Sequence, residues 1–178
     1  MRTLPTPICT LEPQVVSHAR EMFAVLGDPA IYQFENAPPV SEQWLRERFE
    51  KLETRKSTDG AQRWLNWVVR VPSGELAGYI QATVMQTNVS LVAFVLASKF
   101  WRRGIGSSAL IAMQQELTNQ YGVDTFVAVL KASNFRSSGL LSMLGYTLAG
   151  PEDAALFGAK QDEIVMVKSA SGAGSSGG

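Results

Sequence analysis

Apolar positions change their spacing along this chain, and each change marks a different kind of element. Ile8 to Leu11 reads as a short strand. Glu12-Pro13 then opens a helix, because proline is accepted in a first turn. Val15, Val16, Ala19, Phe23 and Leu26 share one helical face, and Gly27-Asp28-Pro29 stops it. Residues 30 to 40 read as a loop closed by Pro38-Pro39. Ser41 is placed to cap a second helix, whose stripe is Leu45, Phe49 and Leu52 with Trp44 alongside.

The spacing then shortens. Residues 63 to 71, 76 to 85 and 89 to 97 are strand-like, separated by Pro72-Ser73-Gly74 and Gln86-Thr87-Asn88. Such short turns predict an antiparallel meander. Val89 to Ala97 is almost wholly apolar, which predicts a strand covered on both faces. Helical spacing returns over 107 to 120, with Leu110, Met113, Leu117 and Tyr121 on one side. A strand follows over 123 to 130, and a helix over 134 to 144 ends at Gly145. Tyr146 to Ala149 and Ile164 to Lys168 complete the strands. Strand, helix, strand from 89 to 130 implies a parallel, right-handed crossover. The expected fold is mixed α/β: an antiparallel half joined to a βαβ half.

Length and composition sharpen this. A chain of 178 residues suits one domain, here expected over 1–168. Residues 169–178 are only Ser, Ala and Gly and predict a flexible tail. Lysine plus arginine equals aspartate plus glutamate, at 16 each, so the basic stripe of a nucleic-acid binder is not expected. Cys9 is the single cysteine, which excludes an internal disulfide and is compatible with a reducing cytosol. The first ten residues do not read as a signal peptide. No apolar run approaches the roughly 18 residues of a membrane span. His18 is the single histidine and sits in the first helix. No metal-ligand cluster is visible, and no metal is expected.

The candidate chemistry lies in Arg102-Arg103-Gly104-Ile105-Gly106-Ser107-Ser108, between a buried strand and an amphipathic helix. A helix N-terminus presents unpaired N–H groups and partial positive charge. Glycines let the backbone approach a phosphate, and the arginines and hydroxyls add donors. An ordinary strand-to-helix turn with surface arginines fits the glycines alone equally well. A P-loop would need Gly-Lys-Ser/Thr, which is absent. Gly104-x-Gly106-x-x-Ala109 has the dinucleotide-binding spacing, but that motif belongs to a first βα turn with an acid about 20 residues on. Here the next strand ends in Leu130-Lys131.

The same stretch resembles the signature of the GNAT family of N-acetyltransferases, Gln/Arg-x-x-Gly-x-Gly/Ala, with Trp101 in the first position. A second block, Asn134-Phe135-Arg136-Ser137 followed by Leu140-Leu141 and Leu144-Gly145-Tyr146, resembles that family's Asn-x-x-Ser…Leu-Gly-Phe/Tyr segment. The match is similar to the branch of ribosomal-protein N-terminal acetyltransferases, in which Trp at the first position is familiar.

The resemblance implies acetyl-CoA as donor and a primary amine, on a peptide or a small molecule, as acceptor. It implies a cofactor site built from the backbone of Phe94, Val95 and Leu96, from Arg102, Arg103, Gly104, Ile105, Gly106, Ser107 and Ser108, and from Asn134 and Ser137. An N–H of Val95 or Leu96, with Leu96 preferred, is the expected oxyanion donor. Many relatives place a Tyr acid where this chain has Leu141, so Ser137 is the expected hydrogen-bonding group for the departing thiolate. Ser137 also fits a plain role in capping its helix with Asn134. Glu35 is the candidate base, with Glu152, Asp153 and Glu163 as other carboxylates expected near the opposite lip of the site. Tyr32, Phe34, Trp44, Trp64 and Trp67 could floor an acceptor pocket or serve as core. A cytoplasmic setting and a homodimer complete the expectations, with a non-catalytic acyl-CoA-binding module as the rival.

Overall fold

The computed structural model describes residues 1–34 and 36–170. Among them, eight strands form one sheet. They are β1 (Leu4–Pro5), β2 (Thr10–Pro13), β3 (Gln62–Arg70), β4 (Leu76–Met85), β5 (Val89–Leu96), β6 (Thr125–Lys131), β7 (Thr147–Leu148) and β8 (Glu163–Ser169). Their order is β1-β2-β3-β4-β5-β6-β8-β7, and only β5 and β6 run parallel. The meander and the parallel crossover both stand where the apolar spacing puts them.

Helices cover both faces. Along β3, alternate residues point to opposite sides: Trp67 and Val69 enter the larger core, and Val68 the smaller. The larger core packs α3 (Ile105–Tyr121) and α4 (Phe135–Met143) through Leu110, Met113, Leu117 and Leu141. The smaller packs α1 (Ala19–Val25) and α2 (Glu42–Glu53) through Met22, Leu45 and Phe49. Ser41 caps α2, its hydroxyl accepting the Trp44 N–H at 3.0 Å, a device worth about 1 kcal/mol.

Four expectations change. The first helix begins later, with a 3-10 turn at Val16–His18, because His18 Nδ1 accepts the Val15 N–H at 3.2 Å and holds that turn tight. The short helix α5 (Pro151–Leu156) was not expected. It buries no residue, so it lacks the apolar period that reveals a helix. Ser169 closes β8, and Ala170 packs against the larger core with its N–H on the Asp124 carbonyl. The remainder of the expected tail, 171–178, lies outside the described residues. Finally, β5 is not covered throughout: Ala93 is exposed and Phe94 to Leu96 are half-buried.

Candidate functional site

The exposure of β5 has a topological cause. Its pairing with β6 runs only from Val89↔Thr125 to Leu91↔Val127, while β5 continues to Leu96 and β6 to Lys131. On the other side, β5 stays paired with β4 through Gly78↔Leu96. The two central strands therefore part after three pairs, and the sheet opens a wedge. The Ala97 N–H bonds the Ala77 carbonyl at 2.9 Å, which fixes the phase of the β4–β5 ladder. Odd-numbered residues of β5 direct their backbone groups to β4, and Phe94 and Leu96 direct theirs into the wedge. Val95 thus turns its backbone groups to β4 and its side chain to the smaller core.

Gly78 allows β4 and β5 to lie this close. Its φ is +154°, and a Cβ there would stand 1.9 Å from the Val95 carbonyl oxygen. It borders the irregularity where β3–β4 pairing shifts between Val69 and Arg70.

Chain direction reverses sharply between β5 and α3. Arg102 (φ 58°) and Gly104 (φ 75°) are both left-handed. For a non-glycine residue this conformation costs on the order of 1 kcal/mol or more, so strain collects at the turn. The first intrahelical bond, from the Ser108 N–H to the Gly104 carbonyl, is 3.0 Å long. The N–H groups of Ile105, Gly106 and Ser107 precede it and have no intrahelical acceptor. No acidic residue lies in that first turn. Gly106 has a packing reason as well: a Cβ would meet Leu140 Cδ2 at 3.1 Å and Leu96 Cδ1 at 3.5 Å.

Two cavities open on the wedge. One, of about 590 Å³, holds Phe94, Val95 and Leu96, the turn residues Arg102, Gly104, Ile105, Gly106 and Ser107, and Asn134 and Ser137. Arg103 and Ser108 do not line it; the Arg103 guanidinium lies 5.9 Å from the Phe100 ring. Asn134 caps α4, its Oδ1 accepting the Ser137 N–H at 3.1 Å. That bond uses the Ser137 backbone and leaves its hydroxyl out of the cap. Trp101, in the first signature position, donates its indole N–H to the Leu96 carbonyl at 2.8 Å. Arg136 stacks at 4.6 Å from the Trp101 ring and donates to Gln33 at 2.6 Å. Phe34 meets Phe135 edge-on at 5.4 Å. Residues 33 and 34 are thereby clasped to α4 across the cavity's rim. Neither the Trp101 indole nor Arg136 has a role that the sequence motifs imply. A Trp standing where an Arg or Gln donor is expected was the available signal.

The second cavity, of about 530 Å³, lies between the sheet and α2. Tyr32, Trp44, Arg48, Tyr79 and Gln81 line it, and Ile31, Asn36, Phe94, Val95 and Ser137 belong to both cavities. Of the five aromatic candidates, Tyr32 and Trp44 are here and Phe34 is in the first cavity. Trp67 is fully buried core, its indole on the Arg2 carbonyl at 3.0 Å, and Trp64 lines neither cavity. Leu141 is buried and reaches the second cavity as an apolar wall.

Among the described residues, no carboxylate and no histidine lines either cavity. Glu163 pairs with Lys131 at 3.4 Å, and Glu152 and Asp153 are exposed in the first turn of α5. Glu35 lies outside the described residues. His18 sits 3.4 Å from Glu12, and burial lowers its pKa. The phenols are held protonated: burial pushes Tyr32 up to about 12 and raises Tyr79. Tyr32 also donates to the Leu26 carbonyl at 2.6 Å. Cys9 is buried in the larger core. Among the described residues, no group of three or more His, Cys, Asp or Glu could hold a metal. No helix there is long and apolar enough to cross a membrane.

Comparison with known proteins identifies the family and the fold. The family profile of the acetyltransferase (GNAT) domain matches residues 9–147, and the chain belongs to that family. Solved structures share its fold. RimL, the ribosomal L7/L12 α-N-protein acetyltransferase in complex with coenzyme A, superposes with a TM-score of 0.80 at 16% identity, covering 94% of this chain and 98% of that one. Ribosomal-protein-S5-alanine acetyltransferase from Vibrio fischeri gives 0.77 at 15% identity, covering 95% and 97%. The microcin C7 self-immunity acetyltransferase MccE, in complex with acetyl-CoA and AMP, gives 0.76 at 18% identity, covering 93% and 94%. Among curated protein sequences, none matches significantly.

Proposed function

We propose that this protein transfers the acetyl group of acetyl-CoA to a primary amine by direct attack within a ternary complex. The observation that carries the reading is the meeting of two cavities, whose shared lining of Ile31, Asn36, Phe94, Val95 and Ser137 includes the strand end and the α4 hydroxyl. Donor and acceptor can reach one point of the opened sheet from opposite sides. A covalent enzyme intermediate has poor support, since the one cysteine is buried in the core. The complexes of RimL with coenzyme A and of MccE with acetyl-CoA are consistent with this donor.

The residues fit the donor in three places. The N–H groups of Ile105, Gly106 and Ser107 and the positive helix end suit a pyrophosphate, with Arg102 beside them. The backbone N–H and carbonyl of Phe94, turned into the wedge, suit the pantetheine amides. The Leu96 N–H is the oxyanion donor, its peptide held by Gly78 on one side and its own carbonyl by Trp101. Arg103 and Ser108 act at longer range, through charge and by completing the helix start.

The amine lone pair attacks the thioester carbon, the C–S bond breaks, and the thiolate leaves. The Ser137 hydroxyl, standing at the junction, hydrogen-bonds the sulfur. The amine proton passes to water, with Glu35 the candidate carboxylate to receive it. An α-amine needs the least help, since it titrates near 8 where a lysine amine titrates near 10.4. A peptide N-terminus or a small α-amine is therefore the favoured acceptor.

The test is thiol release from acetyl-CoA with a panel of peptides and small amines. Turnover with an α-amine acceptor is expected. Tight acetyl-CoA binding without turnover on any amine would leave a non-catalytic binding module as the better account.

A further inference from the structure

The acceptor-side cavity is unequal in its polar chemistry. Among the described residues lining it, Arg48 is the one charged side chain. Arg48 and Trp44 are four residues apart on α2, so they share a helical face, with the guanidinium 5.8 Å from the indole ring centre. No ion pair among the described residues neutralises Arg48.

A second observation lies deeper in the same cavity. Gln14 is 1% exposed, lines the cavity wall, and its Nε2 has no hydrogen-bond partner. A buried amide donor left unpaired costs on the order of 1–3 kcal/mol, so its presence beside a cavity points to a partner that arrives with the ligand. Gln14 heads a row of amides across the sheet. Its N–H bonds the Asn66 carbonyl at 2.9 Å, Asn66 stands opposite Gln81, and Gln81 opposite Ala93 at the wedge. Asn66 Nδ2 is likewise buried and unpaired. The wall offers donors and positive charge, and no anion among the described residues.

Resting on the acetyltransferase reading above, we infer that the acceptor carries a carboxylate besides its reactive amine, and that Arg48 and the Gln14 amide receive it. Two sources supply such a carboxylate, a small amino acid and an acidic side chain near a peptide's N-terminus.

Two matched acceptor pairs test this on the whole protein: 4-aminobutyrate against butylamine, and the tripeptides Ser-Glu-Ala against Ser-Gln-Ala. Thiol-release kcat/KM is measured for wild type and Arg48→Gln. Acceptor binding is followed by NMR, and acetyl-CoA affinity by calorimetry. The wild type should prefer the carboxylate-bearing member of at least one pair by tenfold or more. The pair that shows it identifies the source. Arg48→Gln should remove that preference, leaving the neutral member and acetyl-CoA affinity within twofold. Equal use and equal binding within both pairs would overturn the inference. So would an Arg48→Gln variant that weakens both members alike. Arg48-dependent discrimination in binding, with no turnover on any acceptor, would uphold this inference and sink the transfer reading alone.

Discussion

The indole N–H of Trp101 holds the Leu96 carbonyl at 2.8 Å, and so ties the glycine turn to the last residue of the strand that opens the wedge. The contact fixes the plane of the peptide that follows Leu96 and closes off a carbonyl that would otherwise point unpaired into the cleft. Trp101→Phe keeps an aromatic ring beside Arg136 and removes the N–H donor together with the fused pyrrole ring. A neutral hydrogen bond of this kind contributes about 1 kcal/mol. We expect Trp101→Phe to unfold slightly earlier in denaturant and to bind acetyl-CoA about threefold to tenfold more weakly by calorimetry. Unchanged affinity would mean the bond is architectural only.

Much of this was legible in the chain, for reasons that differ by element. The meander was readable because Pro72-Ser73-Gly74 and Gln86-Thr87-Asn88 interrupt runs of apolar residues, and β4 spans Leu76–Met85 as expected. The glycine turn was readable because φ at Gly104 demands glycine. The wedge was not. An apolar strand reads as buried whether helices or a ligand covers it, so Val89 to Ala97 carried no sign that β6 leaves it after Leu91. The row Gln14, Asn66 and Gln81 was invisible too, since register across three strands brings it together. Arg48 looked like any helix-surface arginine until the cavity beside α2 gave it a direction.

Gly78 should tolerate no side chain. A Cβ would stand 1.9 Å from the Val95 oxygen, 2.8 Å from its carbonyl carbon and 2.9 Å from Leu96 Cα, all backbone atoms that cannot swing aside. Overpacking of this kind costs about 1–3 kcal/mol. Gly78→Ala should lose stability in that range by urea denaturation and also raise the KM for acetyl-CoA, because β5 is the strand displaced. Gly139→Ala is the internal contrast. Gly139 lies in α4 with open space around it, and the change should stabilise the protein by up to about 1 kcal/mol.

Ser137 separates the capping role from the chemical one. Its N–H, and not its hydroxyl, bonds Asn134 Oδ1, so Ser137→Ala keeps the cap of α4. If the hydroxyl serves the departing thiolate, the variant should keep its melting temperature and its acetyl-CoA affinity while kcat falls about tenfold or more, toward the range of lost proton-transfer help. A kcat equal to that of the wild type would remove Ser137 from the mechanism.

The pH dependence of the reaction should belong to the acceptor. The titratable oxygens of the acceptor cavity among the described residues are the phenols of Tyr32 and Tyr79, and burial holds both above their ordinary range, Tyr32 at about 12. Neither can accept a proton near neutral pH. An amine attacks only when unprotonated, so kcat/KM should climb about tenfold per pH unit below the amine's own pKa and level off above it. With an α-amine peptide the bend should fall near 8, and with an amine titrating near 10 it should move up by about two units. The measurement is a kcat/KM profile from pH 6 to 10.5 for both acceptors at saturating acetyl-CoA. A bend that stays near 6 to 7 for both would reveal a protein base, with Glu35 the first residue to replace.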